Sequence, residues 1–311
     1  MSGPRTVLVT GAGGLVGGAV ARALAARGWA VAALYRKSFP EALADLANVT
    51  LIQADLRSAS GLPDRYDALV HCAAEVPALC PDEDELYRSN VEGTQAVFRH
   101  AAAAGARRVV YCSSMAVYGT IEAEVVDDAT PLRDAGVYGR SKLAGERLLA
   151  ALTAEGPDRR GVSIRLPGVV GAGSRNNFLS DALRQILAGN AIEARNPEAL
   201  FNNIVHVSDL AGFVGHLLQH MPEGHRATTM AADGPEPIRE VVATLFREAG
   251  RPEQVTYGRG GRPFLISPEP ARALGYAVPG VRDSLVRFVR DNLAGSGAKA
   301  SGCAVDRLGL L

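Results

Sequence analysis

The sequence has no excess of charge of either sign and no long apolar run. Lysine and arginine total 33, and aspartate and glutamate also total 33. A balanced chain creates no strong field towards nucleic acid or an anionic membrane, so any anion must be bound locally. No stretch approaches the ~18 apolar residues that a membrane-spanning helix needs. We therefore expect a small-molecule substrate, with no nucleic-acid or membrane partner.

Cysteine is also scarce, and its four positions have no metal-like spacing: Cys72, Cys80, Cys112 and Cys303. We expect no metal site. Cys72 and Cys112 lie in apolar runs, which is typical of reduced core residues. The chain enters a strand almost at once, at Arg5, without a signal peptide. A chain without structural disulfides or a signal peptide is expected to be cytoplasmic.

Short apolar runs alternate with helical patterns in the first half of the chain. Helical patterns span Ala19–Arg27 and Leu86–Ala104, and each ends at a glycine. The alternation predicts an α/β fold, a doubly wound parallel Rossmann sheet with a smaller C-terminal lobe. The runs are too short for helices and rich in β-branched residues, which predicts strands at Thr6–Thr10, Ala30–Leu34, Val49–Gln53, Ala68–His71, Val109–Cys112 and Val162–Leu166.

A glycine-rich turn follows the first strand and precedes the first helix. Its spacing is Gly11-x-x-Gly14-x-x-Gly17, with Leu15 and Val16 before the last glycine. Val16 rules out the G-x-G-x-x-G spacing, but strand, glycine turn and helix still predict a dinucleotide site. Backbone N–H groups of these five residues would hold the pyrophosphate at the positive end of the helix. The alternative is a turn that only packs the helix closely on the strand.

The second strand ends without the acid that usually accepts the ribose 2′-hydroxyl of NAD. Its end instead carries Arg36 and Lys37, two cations that suit a 2′-phosphate. We therefore predict NADP in preference to NAD, although both side chains could be solvated loop charges. Two later strand ends should face the same crevice and contact adenine and ribose, through Asp55 and Leu56 and through Ala73 and Ala74.

Tyr138 and Lys142 stand four residues apart in a helical pattern. That spacing places both heads on one helix face. An ammonium beside a phenol is expected to lower the pKa of the tyrosine from about 10. Tyr138 could then exchange a proton with a carbonyl or alcohol oxygen near neutral pH. The alternative is a solvated helix face, and the glycine turn argues against it.

Motifs along nearly the whole chain resemble the extended short-chain dehydrogenase/reductase family, of the NAD(P)-dependent epimerase/dehydratase type. The family contains nucleotide-sugar epimerases, dehydratases and ketoreductases. The matching motifs, in the family's order, are T-G-A-G-G-L-V-G from Thr10, H-C-A-A from His71, N-V-E-G-T from Asn90, S-S-M-A-V-Y-G from Ser113, Y-G-R-S-K from Tyr138 and H-V-S-D-L-A from His206.

The resemblance implies a role for each matching residue. Tyr138 would be the acid/base, and Lys142 would lower its pKa and hold the nicotinamide ribose. Ser114, with Met115 beside it, would contact the substrate carbonyl, and Asn90 would support Lys142 or a proton-relay water. The turn R-L-P-G-V-V-G would lie beside the nicotinamide through Pro167, Val169 and Val170.

Two departures from the family patterns narrow the activity. The 4,6-dehydratases carry Thr-Asp-Glu where this chain has Ser114-Met115-Ala116, so dehydration is not expected. The missing acid after the second strand favours a dissociable NADPH and hence net reduction. The sequence thus predicts an NADPH-dependent reductase of a keto-sugar nucleotide or another polar ketone. A nucleotide-sugar epimerase is the alternative, and a non-catalytic NADP sensor is disfavoured because Tyr138 and Lys142 are both present.

The second half loses its regular alternation, which indicates a substrate lobe. We assign residues 1–168 and about 202–220 to the dinucleotide-binding domain, 169–201 and 221–293 to the lobe, and 294–311 to a flexible tail. The segment Arg175-Asn176-Asn177-Phe178 is predicted to open a helix that runs to about Leu187. The two asparagines either grip a diphosphate, as the family does, or cap the helix.

Three further predictions concern residues beyond the dinucleotide motifs. Arg262, in a flexible basic loop, is a candidate anion contact. His206 is expected to pack or cap and not to catalyse. The helices Leu86–Ala104 and Tyr138–Leu152 resemble the pair that builds the family's dimer, so we expect a homodimer.

Overall fold

The structure is a computed structural model that describes residues 5–58 and 61–301. Its strands, in chain order, are β1 (Thr6–Thr10), β2 (Ala30–Tyr35), β3 (Val49–Gln53), β4 (Ala68–His71), β5 (Arg108–Ser114), β6 (Val125–Val126), β7 (Arg160–Leu166), β8 (Gly168–Val170), β9 (Ile192–Arg195), β10 (Leu200–Phe201), β11 (Ile204–His206), β12 (Gly224–Thr229), β13 (Glu236–Pro237), β14 (Val255–Gly258) and β15 (Leu265–Ile266).

Eight α-helices lie in these described ranges: α1 (Leu15–Ala26), α2 (Glu83–Ala103), α3 (Val137–Ala154), α4 (Phe178–Leu187), α5 (Val207–Leu217), α6 (Ile238–Glu248), α7 (Glu269–Ala273) and α8 (Val281–Ser301). Two short 3₁₀ helices span Glu41–Leu43 and Met115–Tyr118. None of the helices that the structure describes is both long enough and apolar enough to cross a bilayer.

Seven strands form one parallel sheet in the spatial order β3-β2-β1-β4-β5-β7-β12. All six neighbouring pairs are parallel. The chain builds outwards from β1 in both directions, first through β2 and β3 and then through β4 and β5. The predicted doubly wound sheet is therefore confirmed. Its topological switch lies between β1 and β4, where ligands bind in such sheets.

Helices cover both faces of the sheet, which explains why its strands are apolar runs without alternation. One core joins alternate strand residues such as Val7 and Val9 to α1 and α5. The core on the other face joins Leu8 and Leu69 to α2 and α3. Residues on opposite sides of one strand are thus buried in different cores, and the strand cannot slip by one residue without exchanging them.

Several helix bounds differ from the sequence predictions. The first helix begins at Leu15 and not at Ala19, because Gly17 and Gly18 belong to its first turns. The predicted tail is wrong at its start, since α8 continues through residue 294 to Ser301. The rest of that predicted tail, residues 302–311 with Cys303, lies outside the described residues.

A third hydrophobic core gathers α4, α6 and α8 around β9. Its buried residues come from residues 170–289, the part of the chain where the regular alternation is lost. One boundary differs, because β12 pairs with β7 in the central sheet. Residues 224–229 therefore belong to the sheet and not to the lobe to which 221–293 were assigned.

Candidate active site

The glycine turn lies where the ends of β1, β4 and α1 approach most closely. Gly11 has a φ of +73°, and a Cβ there would lie 2.8 Å from the backbone nitrogen of Ala73. A Cβ on Gly17 would lie 2.3 Å from the carbonyl oxygen of Gly11. A side chain at either position would separate strand and helix. The glycines therefore have a packing role in addition to the predicted binding role.

The N-terminus of α1 is left open for an anion. Gly14 is the N-cap and offers no side chain to the free N–H groups, and the first turn, which holds Leu15 and Val16, contains no acidic residue. A cavity of about 290 Å³ adjoins this turn and is lined by Gly13, Gly14 and Leu15 among others. Free N–H groups, the positive helix end and the lack of side chains fit a dinucleotide pyrophosphate.

The ends of β2 and β3 carry the predicted adenosine contacts. Arg36 and Lys37 are both exposed at the end of β2. The backbone carbonyl of Arg36 accepts a hydrogen bond from Gln53 Nε2 at 3.2 Å. Asp55 is engaged by Arg57, whose Nη2 lies 3.2 Å from Oδ2 and whose backbone N–H donates to Oδ1 at 2.9 Å. These bonds lower the pKa of Asp55 and so favour its ionised carboxylate.

The end of β4 is tied to β1 through Thr10. Thr10 Oγ1 accepts the backbone N–H of Ala73 at 3.2 Å and contacts His71 Nδ1 at 2.7 Å. His71 is buried, and burial lowers its pKa to about 3, so the ring is neutral. Ala74 is exposed next to this anchored segment, and Leu56 packs against Gly93 of α2. The strand-end residues predicted from sequence therefore line one edge of the sheet.

Tyr138, Lys142 and Ser114 come together at the start of α3. Lys142 Nζ lies 5.9 Å from the ring centre of Tyr138 and 5.0 Å from that of Tyr111. Its ammonium donates to the backbone carbonyl of Cys112 at 2.8 Å. The Ser114 side chain lies close enough to Tyr138 to act on the pKa of its phenol. The helix spacing and the end of β5 thus place a phenol, a hydroxyl and an ammonium side by side.

The expected lowering of the Tyr138 pKa by Lys142 is wrong for this structure. Burial raises the pKa of Tyr138 to about 12, Cys112 acts in the same direction, and the Ser114 side chain only opposes them. Burial also lowers the pKa of Lys142 to about 8. The reason is that both groups are desolvated, while the ammonium bonds a carbonyl and not the phenol. Near pH 7 the site holds a neutral phenol beside a mostly protonated lysine.

Asn90 is bonded to groups other than Lys142. Its Oδ1 accepts the backbone N–H of Glu75 at 2.7 Å, and its Nδ2 donates to the Glu75 carbonyl and to Ser141 Oγ, both at 3.0 Å. These bonds tie the segment after β4 to α2 and to the turn of α3 that carries Lys142. The geometry makes Asn90 a positioning residue.

Gly139 is a functional position that the sequence reasoning missed. A Cβ there would lie 2.1 Å from the carbonyl oxygen of Ala116. Only glycine lets α3 contact the 3₁₀ helix Met115–Tyr118, whose N-cap is Ser114. The close contact brings Tyr138 to Ser114. A glycine inside a helix costs stability relative to alanine, and this cost was the available signal for a packing role.

A buried ion pair below the site was also missed. Arg165 Nη2 lies 2.8 Å from Glu146 Oε2, and Ser113 Oγ donates to Glu146 Oε1 at 2.6 Å. Arg165 Nη1 also donates to the hydroxyl of Tyr118 at 2.8 Å. The network fixes the end of β5 on which Ser114 stands. Glu146 lies one helical turn after Lys142, so the spacing alone could have indicated a shared inward face.

The predicted substrate residues take different places. Asn177 caps α4, since its Oδ1 accepts the N–H of Ser180 at 3.0 Å, while its Nδ2 donates to Val169 at 3.2 Å. Asn176 is exposed, has a φ of +63° and helps to line a cavity of about 480 Å³. Arg262 is exposed in its loop. The structure therefore gives Asn177 the capping role and leaves Asn176 facing the cavity.

The segment predicted to lie beside the nicotinamide connects the sheet to the lobe. Pro167 separates β7 from β8, in which Val169 and Val170 pair with β11. His206 at the end of β11 caps α5, because its Nδ1 accepts the N–H of Ser208 at 3.3 Å. The prediction that His206 packs or caps is confirmed.

A comparison with known proteins shows the family to which this chain belongs. The model of the NAD dependent epimerase/dehydratase family matches residues 7–230. The chain belongs to this family. It is an NAD(P)-dependent enzyme of the oxidoreductase type, and the resemblance inferred from the motifs is confirmed.

Members of the family with different activities are similar to this chain. A dTDP-4-dehydro-6-deoxy-D-allose reductase of a Streptomyces species is 31% identical over 277 residues, which cover 81% of this chain and 83% of the relative. The UDP-glucose 4-epimerase of Streptomyces lividans is 26% identical over 286 residues, covering 83% and 86%. Relatives of both kinds match, so the family alone leaves the activity open.

Solved structures confirm the fold of this family member. The structure of MoeE5 in complex with UDP-glucose and NAD superposes with a TM-score of 0.79 at 25% identity. The match covers 94% of this chain and 99% of that one. The shared architecture therefore extends over both the sheet and the lobe.

Proposed function

We propose that this protein is an NADPH-dependent carbonyl reductase that acts on a keto-sugar nucleotide or a similar polar biosynthetic ketone. The observation that carries the proposal is the arrangement at the start of α3, where the neutral Tyr138 phenol lies beside Ser114, with its ring centre 5.9 Å from the Lys142 ammonium. A protonated phenol at the crevice is equipped to donate a proton. Reduction of a ketone needs such a donor at the carbonyl oxygen.

The residues divide the reduction between them. NADPH held by the glycine turn and Lys142 would supply a hydride to the carbonyl carbon. Tyr138 Oη donates its proton to the carbonyl oxygen, while Ser114 Oγ donates a hydrogen bond to the same oxygen and polarises it. The ammonium of Lys142 stabilises the phenolate that remains and holds the nicotinamide ribose. Asn90 keeps this turn of α3 in place through Ser141.

Two features support NADPH as the preferred cofactor. The end of β2 carries Arg36 and Lys37 and no acid, and both side chains are exposed, that of Arg36 within an ion pair to Glu75. A guanidinium binds a phosphate through two parallel hydrogen bonds, which a 2′-hydroxyl cannot use. NAD remains a usable but weaker cofactor in this proposal.

A sugar nucleotide fits the lobe side of the site. The relatives include dTDP-keto-sugar reductases, of which two are 31% and 32% identical to this chain. The cavity beside α4 has a volume of about 480 Å³ and is lined by Arg175, Asn176 and Arg184 among others. We propose that Asn176 and the guanidinium of Arg175 contact the diphosphate there, with Arg262 closing from its loop.

A nucleotide-sugar epimerase is the second candidate, and its relatives support it. Epimerisation begins with removal of a proton from a sugar hydroxyl, for which Tyr138 must act first as a base. A phenol with a pKa of about 12 suits this first step poorly at neutral pH. We favour reduction because the end of β2 carries Arg36 and Lys37 and no acid, which suits a dissociable NADPH.

One screen tests the proposal. Purified protein is mixed with NADPH and a panel of keto-sugar nucleotides and other polar ketones, with UDP-glucose as the epimerase substrate. We expect NADPH to be consumed with at least one keto-sugar nucleotide and one alcohol to form for each NADPH. Conversion of UDP-glucose to its epimer without net consumption of cofactor would contradict the reductase and support the epimerase.

Two properties of the whole protein complete the proposal. We propose a cytoplasmic homodimer that forms through α2 and α3, which pack side by side on one face of the sheet. Tyr87 on α2 is 39% exposed and offers an aromatic side chain to such an interface. Light scattering should give twice the mass of one chain, and a single-chain mass would contradict the dimer.

A further inference from the structure

Arg36 at the end of β2 contacts a carboxylate that comes from the end of β4. Glu75 follows β4 and forms an ion pair with the guanidinium of Arg36, which follows β2. In the sheet β1 lies between β2 and β4. The ion pair therefore spans the end of β1, from which the glycine turn leaves. A dinucleotide on that turn would meet both charges.

Hydrogen bonds to its backbone hold Glu75 in place, in addition to the ion pair of its side chain with Arg36. Asn90 binds its backbone on both sides, with the N–H at 2.7 Å and the carbonyl at 3.0 Å. Asn90 itself is buried, with 6% of its surface exposed. The Glu75 side chain is only 18% exposed, against 41% for Arg36. The carboxylate is thus placed by a buried hydrogen-bonding partner, and Arg36 is the more exposed member of the pair.

We propose that Glu75 supplies, from the end of β4, the carboxylate that is missing from the end of β2, and that it sets how strongly the site prefers a 2′-phosphate to a 2′-hydroxyl. This inference rests on the proposed binding of NADPH by Arg36. A 2′-phosphate must take the guanidinium from Glu75 or share it, and the two anions repel each other. A 2′-hydroxyl can donate a hydrogen bond to the carboxylate and leave the ion pair intact.

The charge of Glu75 therefore opposes NADPH and is tolerated by NADH. Removing the charge while keeping the size and the backbone clamp isolates this effect, so Glu75→Gln is the variant of choice. We expect the Kd for NADPH to fall by about three- to tenfold, because Arg36 becomes free to bind the phosphate. The gain is no larger because the site is partly exposed and solvent screens the charges. The Kd for NADH should stay unchanged or rise.

The experiment measures both dissociation constants by fluorescence titration at low salt, without any substrate. Glu85→Gln is the matched control, since Glu85 pairs with Arg57 and Arg88 and its loss changes the net charge equally. This control should leave the ratio of the two constants unchanged. Glu75→Ala should shift the ratio in the same direction as Glu75→Gln.

Each outcome decides the proposal. The proposal is overturned if the ratio of the NADPH and NADH dissociation constants is unchanged in both Glu75 variants. This includes the case in which both cofactors bind more weakly by the same factor. A wild-type preference for NADH that Glu75→Gln reverses would support Glu75 and overturn the NADPH preference instead. Arg36→Ala separates the two questions, because an equal loss of both cofactors there contradicts the NADPH assignment alone.

Discussion

The two ends of the cofactor crevice are built in different ways. The proton-transfer end, formed by Ser114, Tyr138 and Lys142, is set by close packing and by backbone partners such as the Cys112 carbonyl. The adenosine end, formed by Arg36, Asp55 and their partners, is set by ion pairs between partly exposed side chains.

Because of this difference, the two ends respond differently to substitution. At the proton-transfer end, burial controls the charge of every group, so a substitution alters chemistry and packing together. At the adenosine end, solvent screens the charges and a substitution alters affinity in small steps. We therefore expect large effects on turnover at the proton-transfer end and graded effects on cofactor choice at the adenosine end.

The largest effect is expected from Tyr138→Phe. The ring and its packing stay, but the proton donor is lost, so kcat should fall by at least about 100-fold. The Kd for NADPH should stay nearly unchanged, because the hydroxyl is not a cofactor anchor in this account. Steady-state kinetics and a binding titration measure the two constants. Near-normal turnover would remove Tyr138 from its role.

Gly139→Ala tests whether packing sets the proton-transfer end. The added methyl would meet the Ala116 carbonyl at 2.1 Å and push α3 away from Ser114. We expect a loss of about 1–3 kcal/mol in the free energy of unfolding, together with a lower kcat. Denaturant unfolding and kinetics give both values.

Gly136→Ala is the matched control, because a Cβ at Gly136 meets nothing within 4 Å and its φ is −60°. It should leave stability and turnover near those of the wild type. A Gly139→Ala protein that behaves like this control would contradict the packing account.

The pH profile tests the charge of Lys142. Burial lowers its pKa to about 8, so the ammonium is present below that pH and is lost as the pH rises through it. Reduction should therefore fall above pH 8, by about tenfold per pH unit. Tyr138, with a pKa of about 12, should add no further loss below pH 10.

Lys142→Arg identifies the group that titrates, because a guanidinium stays protonated throughout this range. Its kcat should be lower at every pH but should lack the fall above pH 8. A fall of the same size in Lys142→Arg would assign it to another group.

Arg36→Ala tests the adenosine end and should have a smaller effect. Loss of the phosphate-binding fork should raise the Kd for NADPH by about tenfold and leave that for NADH nearly unchanged. Fluorescence titration with both cofactors measures this, and Lys37→Ala, which keeps Arg36, serves as the comparison. An equal loss for both cofactors would contradict the preference for NADPH.

Local patterns account for the part of the structure that the sequence predicted. The strand Thr6–Thr10 and the turn from Gly11 follow from neighbouring residues, and the spacing of Tyr138 and Lys142 follows from one helix. All of these depend on contacts within a few residues. They therefore needed no knowledge of which strands pair.

The remainder depends on parts of the chain that meet only in the folded protein. Glu75 and Arg36 are 39 residues apart in sequence, and no local pattern pairs them. The pKa of Tyr138 could not be predicted from Lys142 alone, because its direction is decided by burial under other elements. The sequence left Asn177 as either a diphosphate contact or a helix cap, and its bond to Ser180 identified it as a cap.

The central claim is that Tyr138 protonates a ketone that receives hydride from a dissociable NADPH, and deuterium transfer tests it most directly. The protein is incubated with a keto-sugar nucleotide and NADPH deuterated at C4 of the nicotinamide on the transferred face, both faces being tried. The account predicts that one of the two cofactors places deuterium on the former carbonyl carbon of the alcohol, about one atom per NADPH oxidised. A sugar product that forms without deuterium from either cofactor, and without net oxidation of NADPH, would contradict it.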